Sequence, residues 1–419
     1  MYIQDTFRLT LLIIILSVVG LIFTTLMATS LRRIVQSKKY KKLDRQRRFY
    51  RDKLRSALDK GKVSQNMNEF ISSPRSIKFQ AIEDVLFDLI EERKSTGDIK
   101  KLFKRFGYIT HYEKKLESRD IITRASAIDK LGRMSSESSA DKLINMLKSE
   151  NPEIISVTVR ALGNIGYLKG LRSILEILPS IYEKWLITRR TLGTSILKFG
   201  QPAVPMLLDY LKKTTNTKII AIILDVLSHL YDKNSLPFAL CYLEHEDAEV
   251  RAKALKVIET TANGTEDSTK AKIIPLLDDP VWFVRLQAVK AIGSVRYKKA
   301  VDTLGALLFD ENWQVRNAAA TSLTKFEANS IDIFLRALKQ KDVYAKQSIC
   351  EELEKTNFIS RLIENLNSDS KEIYEKSKEI LKIMHSLNFS TPLFEYLKRV
   401  ENGKIKDEIN FILGKDTKA

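Results

Sequence analysis

At 419 residues, 44% hydrophobic and 29% charged, the chain is able to bury a large core. Its two cysteines, Cys241 and Cys350, stand far apart and in no Cys-x-x-Cys pair, which excludes a disulfide framework and a zinc knuckle and fits a reducing compartment. The net charge of +18 is unevenly placed: residues 32–62 hold fourteen Lys plus Arg against three Asp, a net +11, residues 1–31 cancel, and the remainder adds +7.

Residues 9–31 contain no charge and read as one apolar helix of about 34 Å, enough to cross a hydrocarbon core of about 30 Å. Residues 1–31 are therefore expected to be an uncleaved transmembrane anchor. A cleaved signal peptide is the alternative, but the front holds only Asp5 and Arg8, and the dense positive charge follows the run. Positive residues stay inside, so Arg32, Arg33, Lys38, Lys39, Lys41, Lys42, Arg45, Arg47, Arg48 and Arg51 place the first residues outside and the rest in the cytoplasm. The expected location is the inner or plasma membrane, crossed once. Within the span, Gly20, Thr24 and Ala28 recur every fourth residue, a spacing that lets another membrane helix approach closely.

Residues 32–63 continue as a basic juxtamembrane helix or linker, with Tyr40, Leu43, Phe49, Tyr50, Leu54 and Leu58 forming an imperfect apolar stripe. It lies on an anionic inner leaflet, where each basic side chain is worth about 1 kcal/mol, or serves as a solvated spacer. Residues 61–68 look like a break. A helix over residues 74–94 then makes 64–108 an N-terminal helical cap, because a terminal repeat turns one face to solvent.

From residue 109 to about 400 a pattern of short helix, tight turn and longer helix recurs every thirty to thirty-five residues or so. The longer helices begin near Ile121, Ile154, Trp185, Lys218, Ala248, Val281, Trp313 and Val343; shorter ones fill residues such as 141–148, 202–212, 235–244 and 331–339. A last, looser pair and a polar cap over 401–419 close the series. In the clearest copy Asp279 can accept from free amides, Pro280 suits a first helical position, Val284, Ala288 and Ile292 share one face, and Gly293 can end the helix. Neither helix of such a pair can hide its apolar stripe alone; stacking hides it.

The string Asp-x-x-Trp-x-Val-Arg-x-x-Ala-x-x-Ala, at Asp279 to Ala291 and again from Asp310, resembles short HEAT repeats. The resemblance implies an all-α chain, a right-handed α-solenoid of the HEAT or armadillo-like kind, behind the membrane helix. It also implies that turn Asp and second-helix Arg bond to neighbouring repeats, which carries that role onto Asp279 with Arg285 and Asp310 with Arg316. Arg124, Arg251 and Asp247 match less completely, and Ile155, Trp185 and Lys346 break the ladder in other copies.

Catalytic signals are weak. His111, His229, His245 and His385 are scattered and lack the paired helical spacing of a metalloprotease. The run from Glu244 to Asp247 falls at a turn, no phosphate-cradling Gly-x-x-x-x-Gly-Lys is present, and the Ser195 to Lys198 tetrapeptide lacks companion motifs. No metal or cofactor is expected.

Trp282 and Trp313 hold the same offset in adjacent repeats, where they pack between repeats or offer a face to a partner. Lys253, Lys256 and Lys290 lie on second helices away from the apolar stripe, as solvated surface or as a basic strip for a partner. The sequence thus points to a non-enzymatic, membrane-tethered bacterial scaffold that binds proteins, a membrane enzyme among the candidates. Similar repeats occur in phycobilin lyases and in HEAT-like nucleic-acid-binding proteins, which gives two alternatives; an anchor is unexpected in the first and keeps the second from most DNA.

Overall fold

A computed structural model describes residues 2–59, 67–92, 97–184, 186–262, 264–356 and 358–414, with side chains from Leu16 onward in the first helix. Trp185, most of the expected break and the last five residues lie outside the described residues, as do the side chains of residues 9–15 in the apolar run. Every element among the described residues is an α or 3-10 helix. Contacts divide the chain into two compact units, residues 1–170 and 171–419.

The first unit opens with α1 (Tyr2–Asp59), an unbroken helix of 58 residues or about 87 Å. It continues through α2 (Ile77–Glu92), α3 (Gly97–Arg105), α4 (Tyr108–Lys115), α5 (Ile121–Arg133), α6 (Ala140–Met146) and α7 (Pro152–Ile165). From Leu16 to Tyr40 the described side chains of α1 are exposed, but its last part packs on α2 and buries Leu43 and Leu54. Arg47, Arg51 and Arg55, one turn apart, meet Asp84, Asp88 and Glu92, also one turn apart. These pairs are partly exposed, so each contributes about 1 kcal/mol at most, whereas each buried Leu contributes about 1.5–3 kcal/mol. Apolar burial therefore holds the dock and the ion pairs set its register. The basic segment is thus split: its first part stands clear of the protein and its second part belongs to the folded unit.

The second unit runs from residue 171, inside α8 (Leu168–Glu183), through α9 (Arg189–Leu197), α10 (Val204–Leu211), α11 (Thr217–Leu230), α12 (Leu236–Cys241), α13 (Ala248–Thr261), α14 (Asp267–Ala271) and α15 (Trp282–Val295). It ends with α16 (Val301–Ala306), α17 (Trp313–Leu323), α18 (Ala328–Lys339), α19 (Val343–Lys355), α20 (Phe358–Glu364), α21 (Lys371–Ser386), α22 (Thr391–Leu397) and α23 (Gly403–Ile412). The longer helices α9, α11, α13, α15, α17 and α19 pack in succession. Most begin on a side-chain cap that satisfies otherwise free amides: Thr188, Asn216, Asp247, Asn312 and Asp342 each accept from one or two of them. Their apolar stripes are dry; on α13, for example, Val250, Ala254, Leu255, Val257 and Ile258 are fully buried.

Close helix approach explains two glycines. A Cβ on Gly132 of α5 would lie 2.5 Å from Cα of Ala161 on α7, and one on Gly293 of α15 would lie 2.5 Å from Oγ of Ser322 on α17. Gly293 therefore sits inside its helix, contrary to the terminating role read from sequence, and Arg296 takes the left-handed capping conformation instead. Helical propensity favours Ala over Gly by about 1 kcal/mol, but overpacking costs about 1–3 kcal/mol, and at Gly132 the obstacle is backbone. Gly132→Ala is expected to lower the stability of the first unit by about 1–3 kcal/mol in urea unfolding; a stabilised variant would mean that α5 and α7 have room to spare.

Candidate functional site: a clamped aromatic edge

The turns that lead into α13, α15 and α17 share one polar device. Nε and Nη2 of Arg251 donate to the Asp279 carboxylate at 2.8 and 3.0 Å, while Nη1 donates to the carbonyls of His245 and Glu246 in its own turn. Arg285 repeats this one copy later, with Asp310 at 2.7 and 3.0 Å and the carbonyls of Asp279 and Pro280 behind it. Each arginine thus ties its own turn to the next. Asp279 and Asp310 also accept from the amides of Val281 and Asn312, so one carboxylate caps a helix and receives the neighbour's guanidinium. The Arg285 guanidinium is raised from its ordinary value, first by the hydrogen bond to Asp310.

The ladder runs only where both partners exist. Arg316 makes the backward half, to the carbonyls of Asp310 and Glu311, but Gln340 stands at the next acid position and the buried Nε of Arg316 has no partner among the described residues. Arg124 in the first unit faces the same lack: Ser149 occupies the corresponding position and its Nε is also unpartnered among the described residues. Asp247 instead receives Nζ of Lys218, at 3.2 Å.

The clamped turns present the tryptophans. Trp282 and Trp313 open α15 and α17 and are 39% and 58% exposed, so neither is enclosed between repeats. Val343 holds the same place at the head of α19 and is 67% exposed, with Tyr344 beside it at 73%. Four apolar side chains therefore stand along one edge of three consecutive repeats, two of them on turns fixed by the ladder. Large aromatics on an immobile backbone lose little further freedom when covered, a property that makes binding favourable there. Sequence reading found the tryptophans but missed Val343 and Tyr344, whose signal was the shared offset.

The lysines lie elsewhere. Nζ of Lys253 and of Lys256 both contact Oδ1 of Asp225 on α11, at 2.8 and 3.0 Å. Burial pushes the Asp225 carboxyl up, but hydrogen bonds from the two lysines outweigh it and hold the group below the usual carboxylate range. Its pairing is thus complete at neutral pH and is lost only as pH falls below that range. Lys290, on α15, is exposed and has no side-chain partner among the described residues. Burial raises the Cys350 thiol to about 12, which keeps it protonated and unreactive, while Cys241 is exposed.

On α1, Gly20, Thr24 and Ala28 are exposed, and Oγ1 of Thr24 donates to the Leu21 carbonyl. Arg32, Arg33, Lys38, Lys39, Lys41, Lys42, Arg45 and Arg48 are exposed on the free side of the helix, whereas Arg47 and Arg51 are engaged by α2.

A family model of HEAT repeats matches residues 110–181 and 271–354, the second range covering the Arg285–Asp310 pair and the aromatic edge. The chain is 32% identical over 145 residues to the bilin biosynthesis protein MpeU of Synechococcus sp. (strain WH8020), a stretch covering 34% of this chain and 48% of that protein. The chain thus spans about half the length of this curated relative. A crystal structure described as an engineered protein of the Northeast Structural Genomics Consortium overlaps 84% of this chain and 97% of its own, at 14% identity. Its TM-score is 0.35, too low to mark a shared fold.

Removing the carboxylate from a buried pair strands the guanidinium, at a cost of about 3–5 kcal/mol. Asp310→Ala is expected to destabilise the second unit by that order in denaturant unfolding, and an effect under about 1 kcal/mol would show that the ladder is decorative. Gln340→Asp supplies the acid that Arg316 lacks and is expected to add about 1 kcal/mol in the same measurement.

Proposed function

We propose that this chain, which carries HEAT repeats, is a single-pass membrane protein that acts by binding rather than catalysis, holding partner proteins at the cytoplasmic face of the cell membrane through the Trp282–Trp313 edge. The observation that carries this reading is α1: one helix whose apolar part is long enough to cross a membrane and has no buried side chain among the described residues, and whose far end is packed into the folded unit. An apolar surface of that size left in water would be strongly unfavourable, and lipid removes it.

The continuity of α1 gives the tether its mechanical character. The free basic stretch from Arg32 to Lys42 covers about 16 Å of helix between the apolar run and the first docked residue, Leu43. The stand-off of the first unit from the headgroups is then set by a rod, and its exposed cations meet anionic lipid. Holding a binding surface near the bilayer raises its effective concentration toward other membrane-bound proteins without any added contact.

Four measurements test this. Full-length protein is expected to remain in membranes after alkaline extraction, and a reporter active only outside the cytoplasm is expected to be silent when fused after Ala419; an active reporter reverses the orientation. Charge reversal of Lys38, Lys39, Lys41 and Lys42 is expected to abolish retention of residues 32–419 on anionic vesicles, whereas Arg47→Glu acts on folding instead. Crosslinking in intact cells is expected to trap a protein partner that Trp282→Ala with Trp313→Ala releases. A partner retained by that variant would move the binding surface elsewhere.

The stretch shared with MpeU supports a second reading, a chain that handles an open-chain tetrapyrrole. Visible absorbance in protein purified from cells that make bilins would favour it over the scaffold.

A further inference from the structure

In the second unit, α9, α11 and α13 enclose a groove of about 350 Å³ that lies apart from the aromatic edge. Leu197, Ala221, Ile222 and Val226 form its apolar floor, and Gly193 leaves part of that floor uncovered: the nearest atom to a Cβ built there is 4.0 Å away, on Val226. A substituent of the size of a leucine side chain has somewhere to sit.

The rim is charged, with an excess of cations. Arg189 engages both oxygens of Glu249 at 3.0 Å, and Lys253 and Lys256 share Asp225. Both rim carboxylates are thereby neutralised, with one lysine of the pair in surplus. Arg190 lines the groove, is exposed, and has no side-chain partner among the described residues. Lys290 on the next long helix holds the offset that Lys256 holds here, so a cation recurs one repeat beyond the groove.

That pattern selects among ligands. A nucleic acid brings a phosphate at every step and needs an unbroken cationic lane, and here Asp225 and Glu249 interrupt it. A compact small acid would leave the apolar floor wet. An extended peptide with a few carboxylates around an apolar residue matches both the surplus charge and the floor.

We propose that this groove binds an extended acidic segment of a partner protein, an apolar side chain of which seats over Gly193 while flanking carboxylates meet Arg190 and the Lys253–Lys256 pair. The proposal rests on the scaffold reading and adds the chemistry of what is held. Electrostatic attraction of this kind weakens with salt, whereas seating of the apolar residue does not.

The test uses the full chain in lipid nanodiscs and a fluorescein-labelled peptide of alternating Asp and Glu around a central Leu, followed by fluorescence anisotropy. Binding is expected to weaken at least tenfold with Arg190→Glu, and at least tenfold with Gly193→Leu, whose Cβ meets nothing closer than the Val226 side chain at 4.0 Å. The same peptide with Ser for Leu is expected to bind more weakly. Absence of binding, binding by both variants as tight as that of the unaltered chain, or displacement by a DNA duplex at equal charge concentration would overturn the proposal. If the in-cell partner is trapped through the aromatic edge while the peptide fails to bind, the scaffold reading stands and the groove assignment falls.

Discussion

The contact between successive long helices is the constraint from which the rest of this molecule follows. A helix such as α11, with Ile219, Ile220, Ile223, Leu224 and Leu227 all buried, has apolar residues on more of its circumference than one partner helix can cover. It is covered by α9 and α13 with α10 beside it, and α13 in turn by α11 and α15 with α12 beside it. Stability in such an array is a sum of neighbour terms rather than the property of one central core. The glycines at 132 and 293 belong to the same logic, since they mark where two helices come too close for a methyl group.

Polar interactions refine this stack at particular turns. The Arg251–Asp279 and Arg285–Asp310 pairs are nearly buried and would be costly if either partner were lost, so their value lies in fixing geometry as much as in net free energy. They sit beneath the turns that expose Trp282 and Trp313. Along α1 and α2 the ion pairs are partly exposed and weak; they specify register while leucines supply the free energy. One repeat pattern thus yields a firm aromatic edge in one place and a charged groove in another, according to which polar residues occupy otherwise equivalent positions.

The proposed tether and the proposed binding surfaces are consistent with this division of labour. A helix that is lipid-compatible at one end and part of a folded unit at the other has no flexible joint among its described residues. Surfaces built on stacked helices present side chains on backbones that move little, which reduces the ordering cost of capture.

Much of this was legible in the residues. Caps at Asn216, Asp247, Asn312 and Asp342, apolar stripes at helical spacing, and Arg at a fixed offset are local signals, because capping and amphipathicity are settled within one or two turns. The long apolar run before a basic block is local in the same sense. What only the tertiary structure decided were arrangements among residues twenty-five or more positions apart. These include which Asp each Arg reaches, that Gly293 serves close approach rather than termination, that the tryptophans face solvent, and that Arg47 and Arg51 belong to α2 rather than remaining free. The physical reason is that a side chain's neighbours across a helix interface depend on rotation and spacing set jointly by both helices, and no single repeat contains that information.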